Sequence, residues 1–240
     1  MQREDHIDAI RRHGKRLADA ADGRLELPVP SCRGWDVAEL VWHVGAVHAF
    51  WSGIASGTMV DLENYAAPER PAADGLVAWF RAGVAEIADT LGALDPATPA
   101  YTWSSNRSAG WIQRRMGQET AVHGWDAVRA AGRDEPVDAG LAVDGIDEFL
   151  DDVLPGRAEH LEGPAHSVHL HATDAEGEWL VEVGDGGYRL ERSPTRGDAA
   201  VKAPASDLLL LLWRRRSPDD VDVHGDRAEL DRFLARAHPA

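Results

Sequence analysis

The period at which apolar residues recur changes once along this chain, and that change limits its possible folds more than any other feature. Up to about residue 155 the spacing is three and four, the repeat of helices that bury one face. Beyond about residue 165 it is two, the repeat of strands. The first part predicts helices over 4–22, 37–54, 74–94 and 111 to about 132, with a shorter fifth over 141–154. The third carries the stripe Leu76, Phe80, Val84, Ile87, Leu91 and Leu94, and such stripes find cover only against one another, as in a four-helix bundle. Asp36 reads as the cap of the second helix, with Glu39 as its capping-box partner. Residues 155–164 read as a linker. After it, strands are expected at 167–172, 178–183, 188–191, around 199–203 and at 221–223, with a hairpin turn at 184–187. A short buried helix over 206–213 and a last helix opened by Asp226 complete the chain. The expectation is therefore two domains: an all-α four-helix bundle over 1–155, then a small α+β domain over 165–240.

Composition narrows the function. The net charge is −16, which opposes binding to nucleic acid, since phosphate calls for basic grooves. The longest apolar run, 208–213, is far too short to span a bilayer, and the charged first residues lack an apolar signal core, so a cytoplasmic enzyme or binding protein is expected. The single cysteine, Cys32, excludes an internal disulfide and a cysteine-rich zinc site. Any thiol chemistry can draw on a thiol from outside.

The fourth helix carries a conflict. Continuing its apolar stripe through Ile112 and Met116 leads to Glu119 and His123, so two ionisable groups four residues apart point inward. A buried carboxylate needs a hydrogen-bonded partner, a metal ion, or both. Glu119 and His123 could satisfy one another. However, the second helix brings His43 onto its own inward face, and two histidines with one carboxylate form a ligand set for a catalytic divalent ion, most naturally zinc, with a position left for water or substrate. His48 lies roughly 140° around the helix from His43 and reads as a helix-edge residue. A competing metal set is His169 and His171 with His166, on a strand. Cys32, in the turn before the second helix, could act as a nucleophile or simply pack there. The loop with Tyr101, Trp103, Asn106 and Arg107 could contact a ligand or cover the core. Among Arg214, Arg215 and Arg216, Arg215 is the best candidate to clamp a substrate carboxylate.

Three stretches carry a resemblance. They are the run from Val29 to Asp36 followed by Leu40-Val41-Trp42-His43-Val44; the run from Arg114 to Ala127; and the run from Asp207 to Arg215 with Val223-His224-Gly225-Asp226. Together they resemble the mycothiol-dependent maleylpyruvate isomerase family over nearly the whole chain. The resemblance implies a DinB-like bundle holding zinc through His43, Glu119 and His123, a sterol-carrier-like second domain, and an isomerase role for Arg215. It also implies mycothiol as cofactor, its thiolate adding to a small electrophile with an isomerase or S-transferase outcome. The chain departs from the family at Arg33, commonly Pro, and at Arg214, commonly Gly. Two other readings use the same residues: a hydrolase with zinc-bound water, and a non-enzymatic protein binding a metal or an apolar ligand.

Overall fold

The structure, a computed structural model, describes residues 1–59, 65–157, 161, 164–184 and 187–237. It divides into two compact units, Met1–Glu135 and Pro136–Ala240. No helix among the described residues is long and apolar enough to cross a membrane.

The first unit is the expected bundle: α1 (Arg3–Ala21), α2 (Val37–Ala55), α3 (Ala73–Gly92) and α4 (Ala109–Ala130). Each helix begins where its sequence allows. The Asp36 carboxylate accepts the Glu39 N–H at 2.8 Å, the cap expected for α2. Glu39 does not reach back to complete a box; its Oε1 instead pairs with Arg70 Nη1. Ser108 caps α4 by accepting from the Trp111 N–H. The α3 stripe is buried from Leu76 to Leu91 and meets Leu17, Leu40, Val44 and Ile112 in one core. At about 1.5–3 kcal/mol for each fully buried large side chain, this core is what holds the helices together.

α4 is buried at 17 of its 22 positions rather than along one stripe. Gly117 and Gly124, two turns apart, let α1 approach it closely. A Cβ on Gly124 would stand 3.2 Å from the His13 carbonyl oxygen, and one on Gly117 would stand 3.4 Å from that of His6.

The second unit opens with α5 (Ala139–Glu148), which runs on through a π-helical turn, Phe149–Val153, and a 3-10 turn, Leu154–Arg157. The division at Glu135 thus precedes α5, whereas the sequence suggested a bundle reaching 155. A stripe such as Leu141, Ala142 and Ile146 shows that a helix buries a face but not against what. Here it packs on α6 (Ala205–Leu212), and the Val137 N–H donates to Ser206 Oγ at 2.9 Å. The expected linker at 155–164 begins inside the 3-10 turn; residues 158–160 and 162–163 lie outside the described residues.

The sheet contains β1 (His166–Ala172), β2 (Glu178–Gly184), β3 (Gly187–Glu191), β4 (Ala199–Ala203) and β5 (Asp222–Gly225) in the order β3-β2-β1-β4-β5. Only β1 and β4 run parallel. Asp185 and Gly186 of the expected hairpin turn lie outside the described residues. α6 and α7 (Arg227–Ala237) pack against β1 and β4.

α6 ends in a Schellman turn. The Arg214 N–H donates to the Leu211 carbonyl at 3.0 Å and the Arg215 N–H to that of Leu210 at 2.7 Å. This turn holds Arg214 at φ +61°, the left-handed region that glycine occupies without steric cost. Arg214→Gly should therefore stabilise the protein by about 1 kcal/mol. A denaturation midpoint equal to or below that of the parent would contradict this account.

Candidate metal centre

α2 supplies His43, and α4 supplies Glu119 and His123 one turn apart. His43 Nε2 stands 3.4 Å from Glu119 Oε1, and His123 Nε2 stands 3.3 Å from the same oxygen. At bond lengths of about 2.0–2.1 Å and tetrahedral angles, two donors on one zinc ion stand about 3.3–3.4 Å apart. The donor set and its spacing fit such an ion.

The surrounding side chains fix which atoms face inward. Arg115 Nη2, one turn before Glu119, holds Oε2 at 2.9 Å and leaves Oε1 to the two imidazoles. Asp126, fully buried, meets His123 Nδ1 at 2.8 Å. With a proton on Nδ1, the His123 Nε2 lone pair is free for a cation. Asp126 is held in turn by Ser31 Oγ at 2.5 Å and by Cys32 Sγ at 3.8 Å. The Trp35 ring lies 4.8 Å from that of His43 and is stacked at 6.5 Å over that of His123.

Electrostatics follow from these contacts. Burial pushes the Glu119 carboxyl up, but His123, the hydrogen bond from His43 and Arg115 outweigh it and hold the group well below the usual carboxylate range. Burial likewise pushes His123 down, but the Glu119 and Asp126 carboxylates outweigh it, so its proton affinity is raised well above the ordinary histidine value.

Among the described residues two groups of three ligand-type side chains converge: His43, Glu119 and His123, and Cys32, His123 and Asp126. They share His123 through opposite ring nitrogens. Cys32 therefore belongs to the supporting side of the imidazole, away from the side that faces Glu119. The strand histidines do not form a third group. His169 and His171 both bond Glu178 across β1 and β2, at 2.6 and 2.5 Å, and His166 Nδ1 meets the Pro164 carbonyl oxygen. Arg215 lies in the second unit, just past α6, with Nη1 donating to the Trp213 carbonyl at 2.8 Å. Trp103 stands against Phe50 and Trp51, and the Arg107 guanidinium lies over the Tyr101 ring.

His48 is fully buried, not at a helix edge. A position 140° from the site on α2 is the core face, because α3 and α4 both pack there. Its ring stacks on Phe80, and Nε2 meets Thr120 Oγ1 at 2.8 Å. The one hydroxyl proton of Thr120 goes to the Met116 carbonyl at 2.6 Å, so His48 Nε2 must donate, and the buried Nδ1 has no partner among the described residues to accept a second proton. Burial pushes its pKa down to about 4. The unfolded chain, with a histidine near 6.5, then binds the extra proton. The stability that neutral His48 contributes is complete above about pH 6.5 and is lost as pH falls towards 4, by roughly 3 kcal/mol in all. Denaturation at pH 7 and pH 4.5 should show His48→Gln losing less stability than the parent; parallel losses would contradict the assignment.

Sequence reasoning missed Asp126, Arg115 and Ser31. The first two carried a signal: Asp126 is three residues after His123 and Arg115 four before Glu119, so both share a helix face with the ligand they support. Ser31 had none, since its contact with Asp126 joins a loop to a helix 95 residues away.

Two comparisons bear on identity. Residues 7–128 match the family described as the mycothiol maleylpyruvate isomerase N-terminal domain, and residues 140–232 match its C-terminal domain. Among solved structures, the mycothiol-dependent maleylpyruvate isomerase aligns over 95% of this chain and 96% of its own, with 11% identity and a TM-score of 0.63. A single-residue mutant of that enzyme aligns over the same shares with 12% identity and a TM-score of 0.65. No protein of curated function matches the sequence. At such identities the structures speak for the fold alone; the two domain matches, in order along one chain, show that it belongs to the mycothiol-dependent maleylpyruvate isomerase family.

Proposed function

We propose that this chain is a metal- and mycothiol-dependent enzyme in which His43, Glu119 and His123 hold a divalent ion, zinc by the nature of the donors, and an incoming thiol adds to a small electrophile. The observation that carries the reading is the convergence of two imidazole nitrogens on one carboxylate oxygen, at 3.3 and 3.4 Å, with Asp126 behind His123. Three protein donors leave a position for a sulfur ligand, whereas a structural zinc site has four. When bound, the ion would supply the positive charge that keeps a thiol ionised at neutral pH.

The chain's own residues do the rest. Asp126 keeps the His123 proton on Nδ1, Arg115 keeps Glu119 to one inward oxygen, and Trp35 excludes water from one side of both imidazoles. On an α,β-unsaturated carbonyl compound, a sulfur–carbon bond forms, the carbon–carbon π pair moves to the carbonyl oxygen, and a proton from solvent completes the adduct. An isomerase then expels the thiol after rotation about the former double bond, and a transferase releases the adduct. Arg215 keeps the role that the resemblance implies, in turnover and not in metal binding.

The test is metal analysis of the purified protein with calorimetric titration of mycothiol into metal-loaded and metal-stripped samples. Near-stoichiometric metal, thiol binding only in the loaded sample, and slowed turnover without metal loss in Arg215→Ala are expected. Metal without thiol binding would overturn the thiol reading, and failure to take up metal would overturn the centre itself.

A further inference from the structure

α2 is apolar almost all round, which is unusual for a helix with one face outside the core. Glu39 is the only acidic or basic residue in its 19, histidines aside. Leu40, Val44, His48 and Trp51 account for the face turned to the core. A second stripe, Glu39, Trp42, His43, Ala46, Val47 and Phe50, is only half-buried, although a helix face of this kind normally carries charge.

That stripe is one wall of a cavity of about 430 Å³, within the range of small-molecule sites. Trp35, Trp42, Phe50, Trp51, Tyr65 and Trp103 line it, and so does His43, which joins it to the centre described above. The rings already make edge-to-face pairs: Tyr65 with Phe50 at 5.0 Å, Trp51 with Phe50 at 5.1 Å, and Trp103 with Trp51 at 4.9 Å. Trp103 nonetheless remains 65% exposed, a large apolar surface left to water at the cavity wall.

The polar inventory sets the charge of the occupant. No Lys or Arg lines the cavity among the described residues, and its one ionised group, Glu39, is an anion paired with Arg70. A dianionic acid would lose its hydration here with no lysine or arginine in return, and the charge of an ion held at His43 would already be offset by Glu119 and the incoming thiolate. The ring of Tyr65 lines the cavity, while its Oη is closed to solvent and finds no hydrogen-bond partner among the described residues.

We propose that this cavity is the substrate pocket and that it takes a flat, uncharged aryl-conjugated carbonyl compound, its ring among Phe50, Trp42 and Trp103, rather than a small dicarboxylate. The proposal rests on the reading of His43, Glu119 and His123 as the reacting centre, since His43 belongs to both.

The experiment is a fluorescence titration of the metal-loaded full chain, without thiol, using 4-phenylbut-3-en-2-one as the aryl enone and maleate as the dianion. Quenching of tryptophan by the enone is expected, with little effect from maleate. Trp103→Ala should weaken enone binding by about tenfold, a typical share for one aromatic pair. Tyr101→Ala, an exposed ring outside the cavity, should leave it unchanged. Because no thiol is present, binding weakened by Trp103→Ala supports the pocket even if thiol turnover is never found. Equal binding by parent and Trp103→Ala would overturn it, as would maleate binding more tightly than the enone. Sedimentation of the same samples covers the other possible occupant: a dimer dispersed by Trp103→Ala, with no enone binding, would assign the wall to a second copy and overturn the proposal.

Discussion

His43→Ala should leave the protein folded and almost free of metal. His43 is half-buried at the rim of the core, so its loss opens no cavity in the packed interior. On the proposed ligand set it removes one of three donors, and two donors from a single helix cannot enclose an ion. Loss of a supporting partner alone costs roughly 10–100-fold in metal affinity, so loss of a donor should exceed about 100-fold and take catalysis down to background. Metal content after dialysis is the direct measure. His48→Gln, which can still donate to Thr120, should retain full metal and serves as the control. Equal metal loss in both variants would remove His43 from the ligand set.

The second large effect is expected at Asp126. Asp126→Asn keeps the shape but places an amide beside His123 Nδ1, Ser31 and Cys32. An amide cannot supply the charge that favours a proton on Nδ1, so the imidazole is freed to adopt the wrong tautomer and its Nε2 becomes a weaker donor. Metal affinity should fall by about 10–100-fold while the three donors stay in place. Titration with a chelator would show this as easier metal release, together with turnover that returns at high metal concentration. Metal affinity unchanged from the parent would mean that Asp126 serves the loop and not the centre.

How far the chain could be read before its structure was known differs between features for physical reasons. The helices of the bundle were legible because each buries a face, and a buried face writes its 3.6-residue period into the sequence. His43, Glu119 and His123 stood out because ionisable groups at apolar positions break that pattern, and the structure does bring them together. The boundary before α5 left no such mark, because α5 has the same kind of stripe whichever unit it packs on. His48 was misjudged from its angle to His43, since an angle on one helix does not reveal which side its neighbours occupy. The cavity along α2 was invisible for the opposite reason: its wall is apolar, and in the sequence an apolar wall reads as core.

The link from His123 through Asp126 to Ser31 has a mechanical consequence. Ser31 and Cys32 lie just before α2, and α2 carries His43, so the path from one imidazole donor to the other runs through backbone, a carboxylate and two hydrogen bonds before an ion joins its ends. An ion held there would be the last link of a closed ring. Filling the site should tighten the whole circuit, and slack at any joint, even in the loop at Ser31, should be felt at the metal as a change in how long it stays.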